Sequence, residues 1–241
     1  MFVGHTGRRL AVTQPSISHF ALLIFLCAGV FEVAVAQSTS DQFWPELDVY
    51  YSFNSRLRLD VEASRSTDGA SYNSIEFGPT LNIFARRFLQ PKVTTNNEGK
   101  KNLLVFGVGY RYLAGINQAA ENRIELDFTP QASVPWGILV GDRNRFDLRF
   151  IDGSGFSWRY RNRLNAQRTF KIHRFVFSPY AQGEVFYSSS AGSWNKTTYQ
   201  FGADMPFGKR FDLELYYERD NNLGSVPQHV NAFGFNPSIY F

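Results

Sequence analysis

Residues 211–218 read FDLELYYE, and the stretch divides into two faces. Phe211, Leu213, Leu215 and Tyr217 fall on one parity, and Asp212, Glu214, Tyr216 and Glu218 on the other. Successive side chains of a β-strand point to opposite faces. The segment therefore predicts a strand with one greasy side and one charged side. The pattern recurs along the chain. In NRIELDFTP (122–130), Ile124, Leu126 and Phe128 oppose Arg123, Glu125 and Asp127. In RLRLDVEA (56–63), Leu57, Leu59, Val61 and Ala63 oppose Arg56, Arg58, Asp60 and Glu62. Eleven such segments are predicted, at 43–53, 56–64, 73–85, 102–113, 122–133, 139–150, 156–168, 174–187, 196–207, 210–220 and 229–241.

Composition points to where the greasy sides face. The chain has 24 Phe and 12 Tyr, with aromatics at 17%, yet its mean hydropathy is only −0.27. After residue 36 no run is long and apolar enough for a membrane helix. Abundant aromatics with weak, alternating hydrophobicity are the mark of transmembrane strands, which need about 9–11 residues each. Aromatics also gather near segment ends, as with Phe175 and Tyr187 or Tyr199 and Phe207, where interfacial girdles would lie. Short connections (after Phe53 and Phe207, and at 134–138 and 169–173) alternate with longer polar ones at 65–72, 114–121, 188–195 and 220–228. Residues 86–101 break that alternation. The expected fold is all-β: an antiparallel transmembrane β-barrel of about twelve strands, ten to twelve, because bacterial single-chain barrels are even-numbered. A soluble sandwich or lipocalin-like barrel would alternate in the same way. The amount of aromatic surface, the export signal and the apolar last strand argue against it.

Both ends of the chain carry signals. Arg8 and Arg9 precede an apolar run, Phe20 to Phe31, which ends in Ala34-Val35-Ala36, a small-x-small cleavage pattern. Residues 1–36 are expected to be a signal peptide, cut after Ala36 with Ala34 and Ala36 as the cleavage residues, leaving 37–241 as one barrel domain. Cys27, the only cysteine, would leave with it, so no disulfide or thiolate chemistry is expected. At the other end Phe233, Phe235, Pro237, Ile239 and Phe241 share one face. An exposed apolar edge invites aggregation in a soluble sheet, whereas a closed barrel has no edge. Phe233, Phe235, Ile239 and Phe241 are expected to act as the signal read by the outer-membrane barrel assembly machinery.

The polar parity carries the candidate site. WRYRNRL (158–164) places Arg159, Arg161 and Arg163 on one side and Trp158, Tyr160 and Asn162 on the other. An arginine facing lipid at mid-depth costs roughly 2–4 kcal/mol, so the arginines are assigned to the lumen. Arg145, Asp147 and Arg149 join them from the preceding segment, and Arg123, Glu125 and Asp127 from the one before. Acids dominate elsewhere: Glu46, Asp48, Asp60 and Glu62 near the start, and Glu184, Asp204, Asp212, Glu214 and Glu218 towards the end. When the barrel closes, basic middle strands should face an acidic wall. In a narrow lumen the guanidiniums would pair with carboxylates and plug it. In a wet one the opposed walls would select polar or charged solutes. Both readings stay open.

FWPELDVYYSF, NRIELDFTP, DRNRFDLRF, WRYRNRL, FSPYAQGEVFY, GKRFDLELYYERD and the terminal IYF together resemble the family catalogued as domain of unknown function 2490. The likeness spans nearly the whole chain after the leader. It implies an outer-membrane β-barrel of Gram-negative bacteria, with no agreed substrate and no catalytic residues to carry over.

Other chemistry lacks its parts. QHVNAFG (228–234) has Asn231 where a lipid-cleaving barrel would place its serine, and no serine pairs with a base, so no enzyme is expected. Outside the leader only His173 and His229 remain, with no ligand spacing, so neither metal nor cofactor is expected. A formal charge of +4 without a nucleic-acid motif makes a nucleic-acid partner unexpected. The expected partners are outer-membrane lipid, the assembly machinery and at most a polar solute, and the expected state is a monomer.

Overall fold

Alternating residues become alternating faces along twelve strand segments. These are β1 (Thr39–Asn54), β2 (Leu57–Asp68), β3 (Ser71–Ala85), β4 (Leu104–Gly115), β5 (Gln118–Val134), β6 (Ile138–Ile151), β7 (Gly155–Arg168), β8 (Phe170–Ile172), β9 (Phe175–Ser188), β10 (Ser193–Phe207), β11 (Phe211–Asn222) and β12 (His229–Tyr240). The structure is a computed structural model that describes residues 38–68, 71–85, 104–116, 118–224 and 227–241. The expected signal peptide, with Ala34 and Ala36, and the 86–101 connection lie outside the described residues. The described residues form one compact unit.

Each strand pairs antiparallel with the next, except that β7 pairs with β9 past the short β8, and the ring closes where β1 meets β12. The closing pair is parallel, from Thr39 opposite His229 to Tyr50 opposite Tyr240. The number of staves explains why. β8 is a three-residue segment that continues the β7 arm and pairs with β9 from Phe170↔Phe177 to Ile172↔Phe175. Twelve segments thus make an eleven-stave barrel plus one extra strand. Consecutive hairpins reverse direction, so the first and last of an odd number of staves run the same way. Parity of direction, rather than an even count, decides how this barrel shuts.

The expected longer loops are mostly strand. Asp68 pairs with Ser71, Gly115 with Gln118 and Ser193 with Ser188, so only 220–228 keeps a substantial connection. The apolar band does end near the expected boundaries. The ladder runs on because backbone groups pair whatever the side chain, and small polar residues join it: Ser66 and Ser74 hydroxyls lie 2.6 Å apart across β2 and β3.

Burial is inverted relative to a water-soluble barrel. Among the described residues, sixteen buried side chains are polar or charged and only four, Tyr180, Phe186, Val230 and Ala232, are apolar. Glu125 and Asp147 are the largest fully buried side chains, while Phe43, Phe77, Leu126, Phe146, Phe201 and Phe233 are exposed. Phe235 and Phe241 of the last strand are exposed too, and Ile239 is half-buried.

One glycine is required by close approach. β3 and β4 pair on either side of Gly78, whose carbonyl oxygen accepts a hydrogen bond from Arg111 Nη1 at 2.8 Å. A Cβ on Gly78 would collide with the backbone carbonyl oxygen of Tyr110, which cannot rotate away. Gly78→Ala is expected to destabilise the barrel by about 1–3 kcal/mol through overpacking, read as a lower urea midpoint with the unfolding slope unchanged.

Candidate functional site

β6 and β7 set like charges side by side: Arg143 lies opposite Arg163, and Arg145 opposite Arg161. Directly opposed like charges are unfavourable in a sheet, so carboxylates from neighbouring strands must interleave. β9 supplies the first, since its register puts Glu184 opposite Arg163. Arg161 donates to both Glu184 oxygens, Nε at 2.9 Å and Nη2 at 3.0 Å. Arg163 donates Nε and Nη2 to Oε2 at 3.0 and 2.8 Å, and Arg143 adds Nη2 to Oε1 at 2.9 Å. One buried carboxylate therefore serves three guanidiniums.

The other basic residues are better matched. Arg159 grips Asp147 with Nε at 2.7 Å and Nη2 at 2.6 Å. Arg145 binds Asp127 through two parallel bonds of 2.6 and 2.7 Å and lies 2.8 Å from Glu125. Arg149 binds Glu121 in the same forked manner at 2.9 and 2.6 Å, and Arg123 reaches Glu121 at 2.7 Å. Forked pairs fix direction as well as charge. Arg111 extends the chain of ion pairs to Glu62 at 2.6 Å and lies 3.6 Å from Glu76. Contacts therefore run around the inner wall from β2 to β9.

The opposite wall has a different chemistry. Among the described residues, Glu46, Asp204, Glu214 and Glu218 form no ion pair; the hydrogen bonds they do receive come from neutral groups. Asn236 donates Nδ2 to Asp48 at 3.0 Å and to Glu46 and Glu214 at 3.4 Å. Tyr180 donates its hydroxyl to Glu214, and Gln167 donates to Asp204 at 2.6 Å. Asp212 accepts only the backbone N–H of Leu213 at 3.1 Å, and Asp220 is paired with Lys196 at 2.6 Å. Glu46, Asp48 and Glu62 hold carboxylate oxygens within 4.8 Å of one another, near enough to share a divalent cation. An acidic cluster alone does not define such a site.

Both walls border one cavity of about 620 Å³, with Arg143, Arg161 and Arg163 on one side and Glu46, Glu214 and Glu218 on the other. Towards the end where the chain terminates, Arg58 stacks over Tyr50 and Phe84 at 4.5 and 5.2 Å, and Tyr50 stacks on Tyr240 at 4.6 Å. The cavity stops short of that group.

Sequence parity missed Arg143, Glu121, Arg111 and Glu76. Arg143 shares its face with Arg145 and was available to the same reading. Asn162 does face outward, but with company: its Nδ2 donates to Asp142 at 2.6 Å and to Asn144 at 3.1 Å, so the outer face carries a small polar cluster.

A closed β-barrel of inverted polarity with a charge-lined interior is thus the class of protein that the fold and its inner wall define. A family model described as "Protein of unknown function (DUF2490)" matches residues 41–230, and the chain belongs to that family. No curated protein and no solved structure matches the chain.

Proposed function

We propose that the protein is an outer-membrane β-barrel of a Gram-negative envelope, with a structural or interaction role and a lumen closed by its own charge network. The inverted burial carries this reading: aromatic side chains outside, sixteen polar or charged side chains buried within. Lipid is the solvent that suits such an outer face, and a ladder without a free edge meets the requirement that every backbone group be satisfied there. The terminal strand, with Phe233, Phe235, Ile239 and Phe241, is the part offered to the barrel assembly machinery. The protein works as a monomer, without cofactor or catalysis.

A second reading, a small channel for polar solutes, is favoured by the cavity of about 620 Å³ between oppositely charged walls. Planar-bilayer recording separates the two. Protein whose gel mobility shifts on heating, hence folded, is expected to give no conductance steps. Reproducible ion-selective steps that change selectivity in Arg161→Glu would replace the closed lumen with the channel.

A further inference from the structure

We propose that the lumen is a binding site for a small dipolar ion, a solute with an ammonium group at one end and a carboxylate at the other. The site depends on the cavity and not on whether the barrel conducts, so it goes beyond the reading above.

The two walls are each left incomplete, in opposite senses. On β6, β7 and β9, three guanidiniums share the single carboxylate of Glu184. An incoming carboxylate would find hydrogen-bond donors there without breaking an existing pair. Across the ring, Glu46, Asp204, Glu214 and Glu218 border the same cavity, and among the described residues none of them forms a contact ion pair. Carboxylates held out of bulk water without a cationic partner are costly, and a ligand ammonium would relieve that cost. The strand order puts most of the two walls on opposite arcs: β6 and β7 are separated from β11 and β1 by intervening staves on both sides, while Asp204 on β10 lies on the stave next to β9.

The charges bordering the cavity cancel. Arg65, Arg123, Arg143, Arg145, Arg159, Arg161, Arg163 and Lys196 are matched in number by Glu46, Glu62, Glu76, Glu184, Asp204, Glu214, Glu218 and Asp220, eight against eight. A cavity lining whose formal charges balance does not concentrate ions of one sign, but its separated walls orient a molecule that carries both. The cavity is large enough for a peptide-sized solute, and its apolar lining is limited to a few groups such as Phe186 and Val230. The ligand is a free solute and not a lipid headgroup, because a closed ring of paired strands stands between the lumen and the outer face.

The test is calorimetric titration of the full chain, expressed, processed by the cell and purified folded in detergent. The probes are trialanine and 6-aminohexanoate, with N-acetyl-trialanine amide as the end-capped control. Saturable one-to-one binding of a dipolar probe is expected, at least tenfold weaker for the capped peptide. Glu218→Gln and Arg143→Gln, one from each wall, should each weaken it about tenfold while the heat-shifted gel mobility is kept. Neither variant removes the last partner of a buried charge, so folding should survive. Absence of saturable binding to folded protein, equal binding of capped and free peptide, or native affinity in both variants would overturn the proposal. Bilayer recording on the same preparation reports separately on the closed-lumen reading.

Discussion

Glu184→Ala is expected to lower the unfolding free energy by about 3–5 kcal/mol, the range for removing one partner from a buried ion cluster. Glu184 is 3% exposed and accepts five hydrogen bonds from Arg143, Arg161 and Arg163. Without it, β6 and β7 would hold Arg143, Arg145, Arg161 and Arg163 as two directly opposed like-charged pairs with one shared counter-charge gone. Arg143→Gln is the contrasting change. Its side chain is 20% exposed and makes one of the five bonds, so its loss should cost only about 0–1 kcal/mol. Equilibrium urea unfolding, followed by tryptophan fluorescence from Trp158 and Trp194, compares the two. A large loss for the glutamate and a small one for the arginine would identify Glu184 as the hub of the wall. Equal, small losses would mean that water screens the cluster, and the lumen would then be held open by solvent and not closed by charge.

Much of the fold follows from parity because a strand has only two faces. FDLELYYE, NRIELDFTP and RLRLDVEA assign their own residues inward or outward without reference to the rest of the chain. All eleven sequence segments coincide with strands of the barrel, with ends displaced by a few residues. The ends moved because hydrophobic alternation marks the apolar band, while pairing continues through polar residues such as Ser66, Asp68 and Ser193. Partners are another matter. Parity states which face a residue takes and not which residue it meets. Arg111 donates to Glu62 at a separation of 49 residues because β2 and β4 flank the same stave, β3. On β4 the inward positions before Arg111 are Gly107 and Gly109, so no alternating charge drew attention to it. The three-to-one ratio at Glu184 likewise appears only when β9 is laid against β7 in register.

Leu126→Arg asks what surrounds the barrel, and its expected cost is about 2–4 kcal/mol if the outer face lies in hydrocarbon. Leu126 is the midpoint of β5, flanked by Val108 on β4 and Phe146 on β6, and all three point outward and are exposed. In water, exchanging an exposed leucine for arginine away from any special contact changes stability by about ±0.5 kcal/mol. The same exchange at Leu223, 70% exposed in the β11–β12 connection, provides the reference, because a charge near or beyond the interface costs only about 0–1 kcal/mol. Unfolding from lipid vesicles gives both values on one scale. A gap of a few kcal/mol between the two positions is the signature of a barrel standing in a bilayer. With no gap, the outer aromatics would have to be covered by something other than lipid, and the envelope role proposed above would fall while the fold and family stood. The comparison is informative because neither leucine touches the lumen. Whatever difference appears comes from the depth at which each side chain sits in its surroundings, not from the ion pairs that hold the inner wall together.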